Sequence, residues 1–236
     1  MGSKMSIVKL NKSVIPACDV SDLMKLRELI EATCKVKGIG GYKVGFQIVL
    51  PHGIRKIVSV IREYTELPII YDHQKAGTDI PDMAEKFMDV CSEVDAVILF
   101  PQAGPVTEEK WIKSAQKIGV GVIVGGEMTH PGYLAGDNGF MTDDSPKRIY
   151  ELAAKLGVSD FVVPGNKPKK IKEYKELLES AGVKPIFYSP GLVAQGGSIT
   201  EGAKAAGDNW HAIVGRGIYR QKDMKKAAED LVKSIN

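Results

Sequence analysis

Apolar and polar positions alternate along this chain in blocks. Short runs rich in β-branched and aromatic side chains recur at Ser13 to Cys18, Gly41 to Gly45, Leu67 to Tyr71, Val94 to Phe100, Val120 to Val124, Asp160 to Val163, Lys184 to Tyr188 and Ala212 to Val214. Helix-length segments separate them, a β-α repeat of about 30 residues that matches right-handed β-α-β crossovers. Several runs are continuously apolar, as in Ala96-Val97-Ile98-Leu99-Phe100 and Val120-Gly121-Val122-Ile123-Val124. Strands buried on both faces carry this pattern, so a parallel sheet is expected.

The segments between the runs carry helix punctuation. Asp143-Asp144-Ser145-Pro146 places capping residues and an early proline before an apolar stripe from Arg148 to Leu156, and Gly157 closes it. Lys169 to Ala181 ends likewise at Gly182, and Asp223 to Ile235 reads as a final amphipathic helix. Eight β-α units without a composition break predict an α/β fold: one (β/α)8 TIM barrel domain over residues 1–236, ahead of an open doubly wound sheet. Residues 1–5 read as an expression scar before a second start at Met5, and the first twelve residues hold no apolar run of the kind a signal peptide needs.

Composition narrows the classes. At 44% hydrophobic with no long polar tract, the chain is expected to be folded rather than disordered. The longest apolar stretches, such as 94–101, fall far short of the roughly 20 residues of a membrane span, so no membrane association is expected. The net charge of +3, from 32 basic and 29 acidic side chains scattered evenly, gives no case for nucleic acid. Cys18, Cys34 and Cys91 are widely spaced and show no Cys-x-x-Cys pattern. They read as buried thiols in a reducing compartment, the cytoplasm, with neither a disulfide framework nor a zinc site.

In a barrel of this kind chemistry collects where strands run out into β-α loops. Those positions carry Asp19, Lys43, Asp72 with Lys75, Pro101-Gln102, Glu127 to Pro131, Pro164-Gly165-Asn166, Ser189 to Gly197 and Gly215-Arg216. Ionisable residues concentrate at the first three. Carboxylates and ammonium groups packed there would fix one another's charge and build a field suited to forming and protonating a carbanion. A plainer reading stays open: Asp72 and Lys75 as a surface ion pair, and Asp79 as the cap of a helix starting near Pro81. His73 reads equally as a base or as a solvated loop residue. With no second histidine and no acids at ligand spacing nearby, no metal is expected.

The last two junctions read differently. Ser189 to Gly197 offers glycine amides and the Gln195 side chain, and Val214-Gly215-Arg216-Gly217 adds a guanidinium. Loops after strands seven and eight are where such barrels bind phosphate, although glycines there also serve tight turns.

Five segments in order, Lys43-Val44-Gly45, Asp79-Ile80-Pro81, Glu127-Met128-Thr129-His130-Pro131-Gly132, Ser189-Pro190-Gly191 through Gln195-Gly196-Gly197, and Val214-Gly215-Arg216-Gly217-Ile218-Tyr219, resemble the orotidine 5'-monophosphate decarboxylase family. The resemblance runs from about Ile15 to the C-terminus. It implies cofactor-free decarboxylation of orotidine 5'-phosphate to uridine 5'-phosphate in pyrimidine biosynthesis. It implies Asp19 at the ribose, Lys43 between ribose and a central Asp72, and Lys75 as the proton donor to C6. It further implies a homodimer, with Asp79 reaching the partner's site and Ile80 lining that boundary. Thr129 would contact the pyrimidine, Pro190 would belong to the substrate-binding set, and Gln195, Gly215 and Arg216 would grip the phosphate. The spacing departs from the family's Asp-x-Lys-x-x-Asp-Ile-Pro: Lys75 follows Asp72 by three and precedes Asp79 by four, so two residues must loop out, and His73 and Gln74 become extra candidates. Two rivals remain, a Mg2+-dependent sugar-phosphate lyase or synthase of the same suprafamily and a nucleotide-binding protein without catalysis. No Glu precedes Asp72 at strand three, which argues against the former.

Overall fold

The computed structural model describes residues 6–73, 79–193 and 198–235. Its order is β1 (Lys12–Pro16), α1 (Leu23–Thr33), β2 (Tyr42–Gly45), α2 (Phe46–His52), α3 (Ile54–Arg62), β3 (Ile69–Asp72), α4 (Ala84–Val90), β4 (Ala96–Leu99), α5 (Pro105–Ile118), β5 (Gly121–Gly125), α6 (Ser145–Lys155), β6 (Asp160–Val162), α7 (Pro168–Ser180), β7 (Ile186–Ser189), α8 (Ile199–Ala206), β8 (Trp210–Val214), α9 (Arg216–Tyr219) and α10 (Met224–Lys233). All eight strands pair in parallel in the order β1-β8-β7-β6-β5-β4-β3-β2. The circle closes between β1 and β2 through the single bridges Val14 to Ile39 and Ala17 to Lys43. The expected barrel is therefore the observed one.

Side-chain alternation sorts each strand between two cores. Ile15, Ile70, Ala96, Ile98, Ile123, Val162, Tyr188 and Ile213 fill the barrel interior with Phe100. Their neighbours Val14, Ile69, Tyr71, Val97, Leu99, Val122, Phe161, Phe187 and Ala212 pack outward against the helices. Gly125 makes room for Phe100, since a Cβ there would fall 2.2 Å from the ring. The same parity places Lys43 and Asp72 on the interior side of their strands, because their neighbours Tyr42, Val44 and Tyr71 belong to the outer core.

Helix ends follow the punctuation with small shifts. Prolines open α5, α6 and α7 inside their first turn, where the missing N–H costs nothing. α6 begins at Ser145, and its N-cap Asp144 makes no side-chain cap bond. α10 runs from Met224 and is capped by the Asp223 side chain, which accepts from the Lys226 amide. β3 extends to Asp72, and β8 starts at Trp210. His211 hid that strand's beginning, because its polar side chain lies in the interior against Ser13.

Candidate active site

β1, β2 and β3 deliver one charged cluster to the mouth of the barrel. The Ala17 to Lys43 bridge, and the Cys18 amide donating to the Lys43 carbonyl at 2.8 Å, hold the end of β1 against β2. That brings Asp19 within reach of the lysine. Lys43 Nζ lies 3.2 Å from Asp72 Oδ2 and 3.5 Å from Asp19 Oδ1. Lys43 is 5% exposed and Asp72 1%. Burial disfavours the ammonium, yet Asp72 and Asp19 outweigh it and hold the Lys43 pKa above the usual lysine value. A desolvated pair of this kind contributes little net stability. What it supplies is a fixed field, because the charges cannot reorganise as they would in water.

Asp72 is buried and forms an ion pair with Lys43; the Asp72 and Lys75 pairing involves a residue outside those described. Lys75 and Gln74 lie outside the described residues, and so does Gln195. His73 turns away from the charged cluster. Its Nδ1 is 2.5 Å from the Tyr71 hydroxyl, and its ring meets Phe87 edge-on, which places it over the outer core beside α4. Burial raises the Tyr71 phenol to about 12, so it stays a hydroxyl. Asp79 is exposed, and its Oδ1 accepts from the adjacent Ile80 amide at 2.8 Å; the turn at Pro81 begins with no side-chain cap. The helix-cap reading of Asp79 therefore does not hold. Ile80 beside it is 58% exposed.

At the other side of the mouth, β7 and β8 end next to each other and to β1. A Cβ on Gly215 would lie 3.5 Å from the Ala17 Cβ and 3.6 Å from Asp19 Oδ2, and one on Gly217 would lie 3.6 Å from Val193. Val193 has φ of 60°, a left-handed conformation that costs a β-branched residue energy and is characteristic of constrained functional loops. Arg216 is exposed and has no acidic partner among the described residues. Pro190 turns the chain after Ser189, and its carbonyl accepts from the Gly165 amide at 2.9 Å. Ser189 itself points outward, accepting from the Trp210 indole N–H at 2.8 Å. Phosphate chemistry at this end would fall to the loop amides and Arg216.

The fifth and sixth strand ends hold a group that sequence spacing does not announce. Thr129 is half-buried, and its carbonyl accepts from Asn166 Nδ2 at 3.0 Å. Buried Glu127 accepts from Lys167 Nζ at 2.8 Å and from the Tyr174 hydroxyl. Residues 40 and 47 positions apart meet there, so nothing local could have paired them; the one hint is the lysine that follows Asn166. Among the described residues no three His, Cys, Asp or Glu side chains gather as a metal-holding set, and no helix is long and apolar enough to cross a membrane.

Comparison with known proteins establishes the family. The profile of the Orotidine 5'-phosphate decarboxylase / HUMPS family matches residues 12–231. A Methanosarcina acetivorans protein named orotidine 5'-phosphate decarboxylase is 32% identical over 228 residues, covering 95% of each chain. Its Methanocaldococcus jannaschii counterpart is 31% identical over 222 residues, covering 93% of this chain and 97% of its own. The crystal structure of orotidine 5'-monophosphate decarboxylase from M. jannaschii, complexed with the inhibitor BMP, superposes with a TM-score of 0.83 at 28% identity, covering 95% of this chain and 99% of that one. On the strength of the family match and these relatives, this chain belongs to the Orotidine 5'-phosphate decarboxylase / HUMPS family.

Proposed function

We propose that this chain is a carboxy-lyase that converts orotidine 5'-phosphate to uridine 5'-phosphate in pyrimidine biosynthesis, without a cofactor or metal. The observation that carries the reading is the buried Lys43 held between Asp72 and Asp19 in a chain whose named relatives are decarboxylases of that substrate.

The C6–carboxylate bond breaks, CO2 leaves, and the bonding electron pair stays on C6, where no π system delocalises it. An ammonium beside C6 stabilises that charge and then transfers its proton to the carbon. Lys75 takes this role, and solvent reprotonates it. Lys43 fixes Asp72 next to the reacting carboxylate and, with Asp19, binds the ribose. Thr129 faces the pyrimidine, Pro190 lines the substrate site, and Gln195, Gly215 and Arg216 grip the phosphate end. That remote grip supplies binding energy for ordering the charges.

Asp79 and Ile80 are assigned to a homodimer boundary, with Asp79 entering the partner's site. Exposed apolar side chains around the mouth support this: Ile80, and Val106 at 69%. The proposed location is the cytoplasm, consistent with three cysteines that remain free thiols.

Consumption of orotidine 5'-phosphate, followed spectrophotometrically with and without EDTA, tests the reading. Turnover unaffected by EDTA is expected. Turnover abolished by EDTA would favour metal-dependent chemistry, and tight nucleotide binding without turnover would identify a non-catalytic nucleotide-binding protein.

A further inference from the structure

Behind Thr129 stand side chains that no step above uses. β5 ends at Gly125, so the carbonyls of Met128 and Thr129 lie beyond its ladder. Buried carbonyls must still be paired. Here the loop after β6 supplies the donors: Lys167 Nζ reaches the Met128 carbonyl at 3.1 Å and Asn166 Nδ2 the Thr129 carbonyl at 3.0 Å. Lys167 is fixed in turn. Its ammonium donates to Glu127 Oε1 at 2.8 Å, and the other carboxylate oxygen accepts from Tyr174 on α7. A carboxylate only 2% exposed needs such partners, because an isolated buried charge is prohibitively costly. Charge-assisted bonds are also shorter and stiffer than neutral ones. Two consecutive carbonyls are thus clamped by neighbouring residues of one loop, and the clamp is anchored in the outer layer by α7.

We infer that Asn166 and Lys167 are positioning residues that fix the Met128–Thr129 segment at the barrel mouth, and so set how tightly the pyrimidine is gripped without touching it. This rests on the reading that Thr129 faces the base. The clamp's side-chain bonds run to the β5 segment, whereas the same loop meets the β7 loop through backbone, the Gly165 amide donating to the Pro190 carbonyl at 2.9 Å. Cutting the side-chain bonds leaves that contact in place, so the base and phosphate ends of one ligand respond differently.

The test compares Asn166→Ala and Lys167→Met with the parent chain, using KM and kcat for orotidine 5'-phosphate and calorimetric affinities for uridine 5'-phosphate and ribose 5-phosphate. Loss of one or two such bonds is expected to raise KM and weaken uridine 5'-phosphate about five- to tenfold, with kcat within about twofold and ribose 5-phosphate unchanged. Proportional weakening of both ligands, or no change in either, overturns the inference. Lys167→Met removes the ammonium from Glu127 and can unfold the chain; Asn166→Ala keeps the Glu127, Lys167 and Tyr174 contacts and decides the matter alone. Thr129→Val separates the two levels. If it leaves uridine 5'-phosphate binding intact, the base-contact reading falls and takes the inference with it. If it weakens binding while Asn166→Ala does not, only the inference falls.

Discussion

Lys43 and Asp72 meet at 3.2 Å inside the barrel mouth, both almost fully buried, although 29 positions separate them in sequence. Removing one member of such a pair leaves the other charge in a dry site, a change that costs about 3–5 kcal/mol in proteins. Lys43→Met is expected to abolish turnover and to lower unfolding stability by about that amount. Lys43→Met combined with Asp72→Asn is expected to regain most of the stability and none of the turnover. Chemical denaturation with an activity assay checks both; recovery of turnover in the double variant would exclude the pair from the chemistry.

Lys75→Ala is expected to lose nearly all decarboxylation while still binding uridine 5'-phosphate, and Asp79→Ala to be similarly crippled. If Asp79 serves the partner's site, mixing the two inactive variants creates mixed dimers with one intact site each. Random reassortment then restores about a quarter of parental activity. Absence of recovery, in a preparation shown to have exchanged subunits, refutes the shared site.

Arg216→Met is expected to weaken uridine 5'-phosphate binding roughly ten- to hundredfold, the worth of a charge-assisted bidentate contact. Uridine, which lacks the phosphate, should bind parent and variant alike. Equal losses for both ligands would show that Arg216 supports the loop rather than the phosphate.

Two buried titratable groups set opposite pH limits on stability. Burial lowers the His211 pKa to about 3, so the folded chain keeps it neutral while the unfolded chain protonates it below about 6.5. Stability from this group is intact above that value and falls by up to ~1.4 kcal/mol per unit as pH drops toward 3. His211→Met should flatten the acid limb, measured by denaturant melts at pH 7 and pH 4.5; an unchanged limb would contradict the assignment.

Glu108 acts in reverse. Burial raises its pKa to about 8, and its Oε1 has no hydrogen-bond partner among the described residues. The folded chain holds the proton that the unfolded chain releases above about 4.5, so stability is lost as pH rises from there to 8. Glu108→Gln is expected to stabilise the fold by roughly 3–4 kcal/mol more at pH 8 than at pH 5. Equal effects at the two pH values would refute the coupling.

Most of the barrel was legible because parallel strands buried on both faces read as unbroken apolar runs, as at Ala96–Leu99. The errors fall where interior polar residues interrupt that signal. Asp72 ends β3 and His211 sits inside β8, each paired with a residue far away in sequence. Strand ends announced Lys43, Asp72 and Arg216 as candidates, since position on a barrel strand is a local property. The Glu127, Lys167, Tyr174 and Asn166 clamp was not legible, because it depends on two β-α units docking side by side. The outward turn of His73 follows from the parity of Tyr71 and could have been deduced once β3 was in register.

The barrel is joined between its first and second strands by two isolated bridges, and one of those bridges belongs to Lys43. The seam and the charged cluster are therefore one structure. A chain with that seam open keeps β1 on β8 and a nearly complete hydrophobic interior, but has no Asp19 beside its lysine. Catalytic competence should accordingly arrive with the final closure of the circle in folding and be the first property surrendered on heating, before helix content changes.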